Sequence, residues 1–177
     1  MDDDRLTEIG TAARLAYKKC VESLVTTDDF DRILMPEIVA TEELTVPPQG
    51  LNPYPLLRDD VDGVRRFMRE SESKLYAVGP CVDDLCAALD GGDDTVVCAH
   101  RLLGAHDEFL DAYGSAMQLV TGFHNEMNVS VVRDGCPDLY RDGNEFFERY
   151  RQWFYTAGDC CRAIRDLAEA AIRQSQS

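Results

Sequence analysis

The chain has 177 residues, 45% hydrophobic and 29% charged, which suits one domain with a packed core. Its 33 acidic and 18 basic residues give a net charge of -15, which repels phosphate backbones and anionic membrane surfaces, so nucleic-acid binding and a polybasic lipid anchor are disfavoured. No apolar run approaches the ~18–20 residues of a membrane span, and the acidic start is the reverse of a signal peptide. We therefore expect a soluble, cytoplasmic protein without an integral membrane anchor.

Helical periodicity dominates the first half of the chain. Apolar residues recur every three or four positions from about Asp3 to Val25, which predicts a first helix. Residues 26–56 contain five of the seven prolines and are predicted to form a long connector with one helical turn. A second helix is expected from Leu57 to about Glu72, and Pro80 is expected to start a short helix that ends at Gly91.

The segment from Asp94 to about Gly122 predicts a helix that is apolar over most of its circumference, which is typical of the middle of a bundle. We expect it to end at Gly122, because a helix that continued to Val132 would be about 55 Å long. Its two adjacent apolar stripes are Val96, Ala99, Leu103, Leu110, Tyr113, Met117 and Val120, and Leu102, Ala105, Phe109, Ala112, Ala116, Leu119 and Phe123.

Two further amphipathic segments complete the chain. After a turn near Pro137, one segment carries Phe146 to Phe154 and the other carries Ile164 to Ile172. The sequence therefore predicts an all-α single domain over 1–177, with seven or eight helices around one hydrophobic helix.

The cysteines and histidines predict no metal, cofactor or disulfide framework. His100 and His106 are six positions apart, about 240° around a helix, and His106 and His124 would lie about 27 Å apart on a continuous helix. We expect no enzyme, although a small helical hydrolase or metal protein is the alternative from that class.

The adjacent Cys160 and Cys161 are expected to be the most exposed thiols. The cysteines lack any Cys-x-x-Cys pair and are expected to be free thiols in a reducing compartment: Cys20, Cys81, Cys86, Cys98, Cys136, Cys160 and Cys161.

Four segments, in the same order, resemble the Bcl-2 family of apoptosis regulators. Arg5–Leu24 resembles the first amphipathic helix of that family, which precedes a long loop. Leu57–Val64 resembles the third homology motif, Leu-x-x-x-Gly-Asp, with Val61 in place of the glycine. Cys98–Arg101 stands where Asn-Trp-Gly-Arg opens the central helix and keeps only the arginine, and Phe146–Tyr150 resembles Phe-Val-Glu-Leu-Tyr of the second homology motif.

The resemblance implies a Bcl-2-like bundle with a surface groove. In this family the groove accepts the amphipathic homology-3 helix of a pro-death protein, whose apolar anchors are spaced i, i+3/i+4 and i+7. Arg101 would pair with the aspartate of that helix and Tyr150 would close one end of the groove. The groove walls and floor implied by the resemblance are Val64, Phe67, Met68 and Leu75 on one side, Leu85 and Leu89 on the other, and Gly104 beneath.

The function implied is that of an anti-apoptotic protein of the viral type, which sequesters pro-apoptotic proteins and associates with mitochondria only through them. A homodimer that covers the unoccupied groove is a further expectation. The alternative is a helical-bundle adaptor or signalling decoy that binds a folded partner. Six of the groove residues have a structural alternative too, with Arg101 on a solvated strip, Tyr150 used for packing, and four residues in the core: Phe67, Met68, Leu85 and Leu89.

Overall fold

The computed structural model describes residues 3–41, 54–91, 94–128 and 130–176. Helices and short turns account for these residues, and none of them forms a β-strand, which confirms the all-α class. The long helices are α1 (Asp3–Glu22), α4 (Tyr54–Leu89), α5 (Thr95–Met127) and α7 (Pro137–Ser175). The short helices are α2 (Thr27–Ile33), α3 (Met35–Ala40) and α6 (Ser130–Gly135).

Each of the three longest helices buries one stripe of side chains with alternating spacings of three and four residues. This period, close to 3.5 residues, is typical of helices that pack lengthwise against antiparallel neighbours. The stripe of α4 is Leu57, Val61, Val64, Met68, Ser71, Leu75, Val78, Val82 and Leu85; that of α5 is Ala99, Leu102, His106, Phe109, Tyr113, Ala116, Val120, Phe123 and Met127; that of α7 is Leu139, Gly143, Phe146, Tyr150, Trp153, Ala157, Cys160, Ile164, Leu167 and Ala171.

The described residues belong to two compact units. The first unit takes its residues from 1–24, 71–112 and 153–177, and the second from 25–70 and 113–152. A single domain over 1–177 therefore stays a prediction.

In the first unit, α1 packs against the C-terminal half of α4. The Cys86 thiol donates a hydrogen bond to the carbonyl oxygen of Gly10 at 3.9 Å. About two turns further along α1, the ring of Tyr17 lies over Gly79. Because glycine has no side chain, the ring can occupy the space beside the α4 backbone. The residue number falls along α4 as it rises along α1, so the two helices are antiparallel.

In the second unit, an aromatic cluster joins α2 to α5 and α7. Phe30 is fully buried, and its ring centroid lies 5.6 Å from that of Phe123 and 5.4 Å from that of Phe146. Arg65 of α4 pairs with Asp31 of α2 at 2.7 Å. These contacts place α2 in the core of the second unit.

The start of α2 explains why a helix forms within the predicted connector. Thr26 accepts a hydrogen bond from the Asp29 backbone N–H, and the Asp29 carboxylate accepts one from the Thr26 backbone N–H, which is a complete capping box. Burial alone would raise the pKa of Asp29, but hydrogen bonds from Arg32 and Thr26 outweigh it and hold this pKa below its ordinary value.

Several predicted boundaries are wrong. The connector contains α2 and α3, while its residues 42–53 lie outside the described part of the chain. Residues 54–89 form one helix, with Pro80 inside it and exposed. The proline removes one backbone hydrogen bond at a cost of about 3 kcal/mol, which the burial of Val78 and Val82 on either side helps to offset.

The two later helices are also longer than predicted. α5 continues past Gly122 to Met127, because Phe123 and Met127 extend its buried stripe and are each 2% exposed. The two amphipathic segments near the end of the chain form the single 39-residue helix α7. The exposed face of α5 includes Val97, His100 and Gly104.

Candidate functional site

Most apolar residues of the predicted groove lie in the helical core. Val64, Met68, Leu75, Leu85 and Tyr150 are each at most 1% exposed and belong to the buried stripes of α4 and α7. Phe67 and Leu89 are half-buried. The first unit contains Leu75, Leu85, Leu89, Arg101 and Gly104, and the second contains Val64, Phe67, Met68 and Tyr150.

Arg101 and Gly104 lie exposed on the outer side of α5, about one turn apart. The Arg101 guanidinium reaches α4 and pairs with Asp84 at 3.3 Å, with the two side chains 59% and 54% exposed. A surface pair of this kind contributes at most about 1 kcal/mol, so another carboxylate can replace Asp84. A side chain at position 104 would have no neighbour within 4 Å, so the α5 backbone is accessible there.

These two residues belong to a surface shared by α4 and α5, here named the α4–α5 face. A second ion pair, between Lys74 and Glu108 at 2.6 Å, joins the same two helices about 10 Å further along α5. The positions between the two pairs, Ala77, Cys81 and Gly104, carry small side chains or none, and this strip is here named the trough. The face comprises Lys74, Ala77, Cys81 and Asp84 of α4, and Val97, Arg101, Gly104 and Glu108 of α5.

The charged side chains of this face affect the pKa of the half-buried Cys81 thiol. Burial raises the pKa of this thiol, the Asp84 carboxylate raises it further, and Arg101 lowers it. The Cys81 Sγ donates to the carbonyl oxygen of Ala77 at 3.6 Å, one turn earlier in α4. The thiol therefore acts as a small, largely neutral side chain in the trough.

A second concave surface was not among the predicted sites. A cleft of about 440 Å³ lies between α1 and α7 in the first unit, and both apolar and charged side chains line it. The sequence signal that could have indicated this cleft is the pair of apolar residues Ile9 and Ala12, about one turn apart on α1. Its lining includes Arg5, Glu8, Ile9 and Ala12 of α1 and Ala163 and Asp166 of α7.

Two of the histidines have well-defined contacts. The His106 ring is 2% exposed and lies 2.8 Å from the Asp107 carboxylate. The ring of His124 stacks on Phe147 with centroids 3.9 Å apart, and its Nε2 lies 2.8 Å from the Asn144 side-chain oxygen. Within residues 3–41, 54–91, 94–128 and 130–176, no three His, Cys, Asp or Glu side chains converge as a metal-binding group.

The prediction of an exposed Cys160–Cys161 pair is wrong. Cys160 is fully buried and Cys161 is 5% exposed, since the first belongs to the buried stripe of α7 and the second follows it. A hydrogen bond with Cys20 and burial both raise the pKa of the Cys160 thiol. Burial raises the pKa of Cys161 to about 12.

These positions predict two classes of thiol reactivity. Half-buried thiols should react with a disulfide reagent in the native state, and buried ones only after denaturation, because the reagent must reach the sulfur. Counting labelled sites by mass spectrometry before and after unfolding tests this. Rapid native labelling of Cys160 or Cys161 would contradict the described packing. We expect native labelling at Cys81, Cys98 and Cys136, and protection of Cys20, Cys86, Cys160 and Cys161.

Comparison of the chain with protein-family models, with curated proteins and with solved structures finds no match. Among the described helices, none combines the length and apolar composition that crossing a bilayer requires.

Proposed function

We propose that this chain is a binding protein, not an enzyme, and that its α4–α5 face binds a helical segment of another protein. The observation that carries this proposal is the exposed Arg101, which makes a surface pair with Asp84, beside the open backbone at Gly104. An arginine can bind a partner carboxylate through two parallel hydrogen bonds. A glycine one turn away lets the partner helix approach closely.

We further propose that the partner helix is the homology-3 segment of a pro-death protein, and that the chain is an anti-apoptotic, Bcl-2-like bundle in the cytoplasm. This finer proposal rests on the resemblance of four segments to the Bcl-2 family. Arg101, the one residue kept from the first homology motif, is accessible to a partner. Val64, Met68 and Leu75 are core residues, so they would contact a partner only if the helices separated.

The second candidate function is that of an adaptor or decoy that binds a folded protein. The observation that favours it is the burial of five of the predicted groove residues, which leaves the α4–α5 face shallow. A shallow surface with charges at both ends is suited to a flat partner surface, with the apolar trough at its centre and a polar rim.

Peptide binding tests the first candidate. Labelled homology-3 peptides are titrated with the wild type, with Arg101→Glu and with Gly104→Gln. We expect sub-micromolar binding of one or more peptides, weakened at least tenfold, or roughly 1.4 kcal/mol, in both variants. Arg14→Glu is the matched control and should leave peptide binding unchanged. Arg14 of α1 makes a similar exposed pair, at 3.2 Å, with Asp83, the residue before Asp84 in α4.

The outcomes separate the candidates. Binding that Arg101→Glu leaves unchanged would contradict the α4–α5 face. If no peptide binds at tens of micromolar while a folded partner does, the adaptor is supported and the helix-binding proposal fails. Unfolding curves of all variants confirm that each change acts on binding, since substitutions at exposed positions usually alter stability by less than about 0.5 kcal/mol.

A further inference from the structure

The outward side of α1 carries a stripe of charged and apolar residues that the packing of the first unit does not use. Its members are spaced alternately three and four residues apart, so they lie on one line along the helix. All six are exposed, and Leu15, at 67%, is the most exposed large hydrophobic side chain described. The stripe, here named the α1 stripe, is Arg5, Glu8, Ala12, Leu15, Lys19 and Glu22.

The charges of the α1 stripe are complementary to those of the same stripe running in the opposite direction. If two copies of α1 lie antiparallel about a two-fold axis between Ala12 and Leu15, Arg5 faces Glu22 of the second copy and Glu8 faces Lys19. Ala12 then faces Leu15 of the second copy. Because the axis repeats each contact, four pairs of opposite charge flank an apolar centre.

The α1–α7 cleft supplies a place for the leucine. Ala12 lines this cleft together with the apolar Ile9 and Ala163, and the charged residues of its lining are Arg5, Glu8, Asp166 and Arg173. A residue opposite Ala12 lies over the cleft, and in the antiparallel arrangement that residue is Leu15. The exposed leucine of each copy would thus be buried in the cleft of the other, as a knob enters a hole.

We propose that the chain forms a two-fold symmetric dimer through the α1 stripe, with Leu15 of each copy in the α1–α7 cleft of the other. The inference goes beyond the proposed function, which uses the α4–α5 face and none of these residues. The contact runs about 25 Å along α1 from Arg5 to Glu22. A contact of this length that is one helix wide buries less area than the about 1,200–2,000 Å² of a standard stable interface. We therefore expect a micromolar dissociation constant.

Analytical ultracentrifugation of the full chain tests the dimer over about 1–200 μM, a range that brackets a weak complex. We expect a monomer–dimer equilibrium that Leu15→Glu weakens at least tenfold, because the change removes the apolar contact with Ile9, Ala12 and Ala163 and brings a hydrated carboxylate to the apolar centre of the interface. Val39→Glu is the matched control. Val39 is 50% exposed on α3 and is not a member of the stripe, so its replacement should leave the equilibrium unchanged.

A charge exchange identifies the register. Glu8→Lys alone places two lysines opposite each other and Lys19→Glu alone places two glutamates opposite each other, so each variant should be monomeric. Mixed together, the two variants restore opposite charges at both sites, and we expect a heterodimer at the concentrations where wild type dimerises. Added salt should weaken both dimers.

Three results would overturn the dimer. They are a wild type that stays monomeric at 200 μM, a dimer that Leu15→Glu does not weaken, and two single-charge variants that do not associate when mixed. None of these results bears on Arg101, so the dimer can fail while peptide binding to the α4–α5 face succeeds, and the reverse.

Discussion

Replacing Phe30 with alanine is expected to lower the free energy of unfolding by about 3–5 kcal/mol. The ring is fully buried and packs at 5.4 to 5.6 Å, between centroids, against Phe146 and Phe123. Its removal leaves a cavity and eliminates two aromatic contacts, each worth about 0.5–1.5 kcal/mol beyond burial. Urea denaturation followed by circular dichroism measures the loss.

Val39→Ala is the matched control in the same proline-rich part of the sequence. Val39 is 50% exposed on α3, so its truncation should change stability by less than about 0.5 kcal/mol. A Phe30→Ala variant that loses less than about 1 kcal/mol would contradict the buried aromatic cluster. It would then favour the connector that the prolines predict.

Gly79→Ala is expected to destabilise the first unit by about 1–3 kcal/mol, although alanine is the better helix former. A methyl group at this position would lie 2.5 Å from Tyr17 Oη and 2.7 Å from Cζ of the same ring. The ring is rigid, and its hydroxyl is partly desolvated, since burial raises the pKa of Tyr17. The ring must therefore shift from its place over position 79, which weakens the contact between α1 and α4.

Gly63→Ala is the control in the same helix, and its effect on the free energy of unfolding should have the opposite sign. A methyl group at position 63 meets nothing within 4 Å, so alanine should stabilise α4 by up to about 1 kcal/mol. A double variant of Gly79→Ala with Tyr17→Leu should lose less stability than the two single changes together. Strict additivity would show that Tyr17 does not contact Gly79.

The periodicity of the sequence determined the fold class and the existence of most helices. Recurrence of apolar residues every three or four positions predicts α1 to within three residues of its end at Glu22, and predicts helix at Leu57–Glu72, Phe146–Phe154 and Ile164–Ile172. It succeeds because an amphipathic helix must place apolar residues on one side whatever its neighbours are.

Helix ends were decided by tertiary packing. Pro80 and Gly122 are local helix breakers, but α4 and α5 continue through them because the residues beyond, Val82 and Phe123, are buried. Local propensity amounts to about 1 kcal/mol for a glycine and about 3 kcal/mol for a proline. Burial of several large side chains exceeds such costs, and the sequence alone does not show which side chains find a partner.

Tertiary packing also decided which of the predicted groove residues are buried. Val64 and Met68 have the spacing of residues that line a groove, and this is also the spacing of residues that face a core. Tertiary structure puts them in the core and leaves Arg101 and Gly104 outside. Sequence spacing determines which side chains share a face of a helix, whereas the neighbouring helices determine whether that face is covered, because burial depends on atoms distant in the chain.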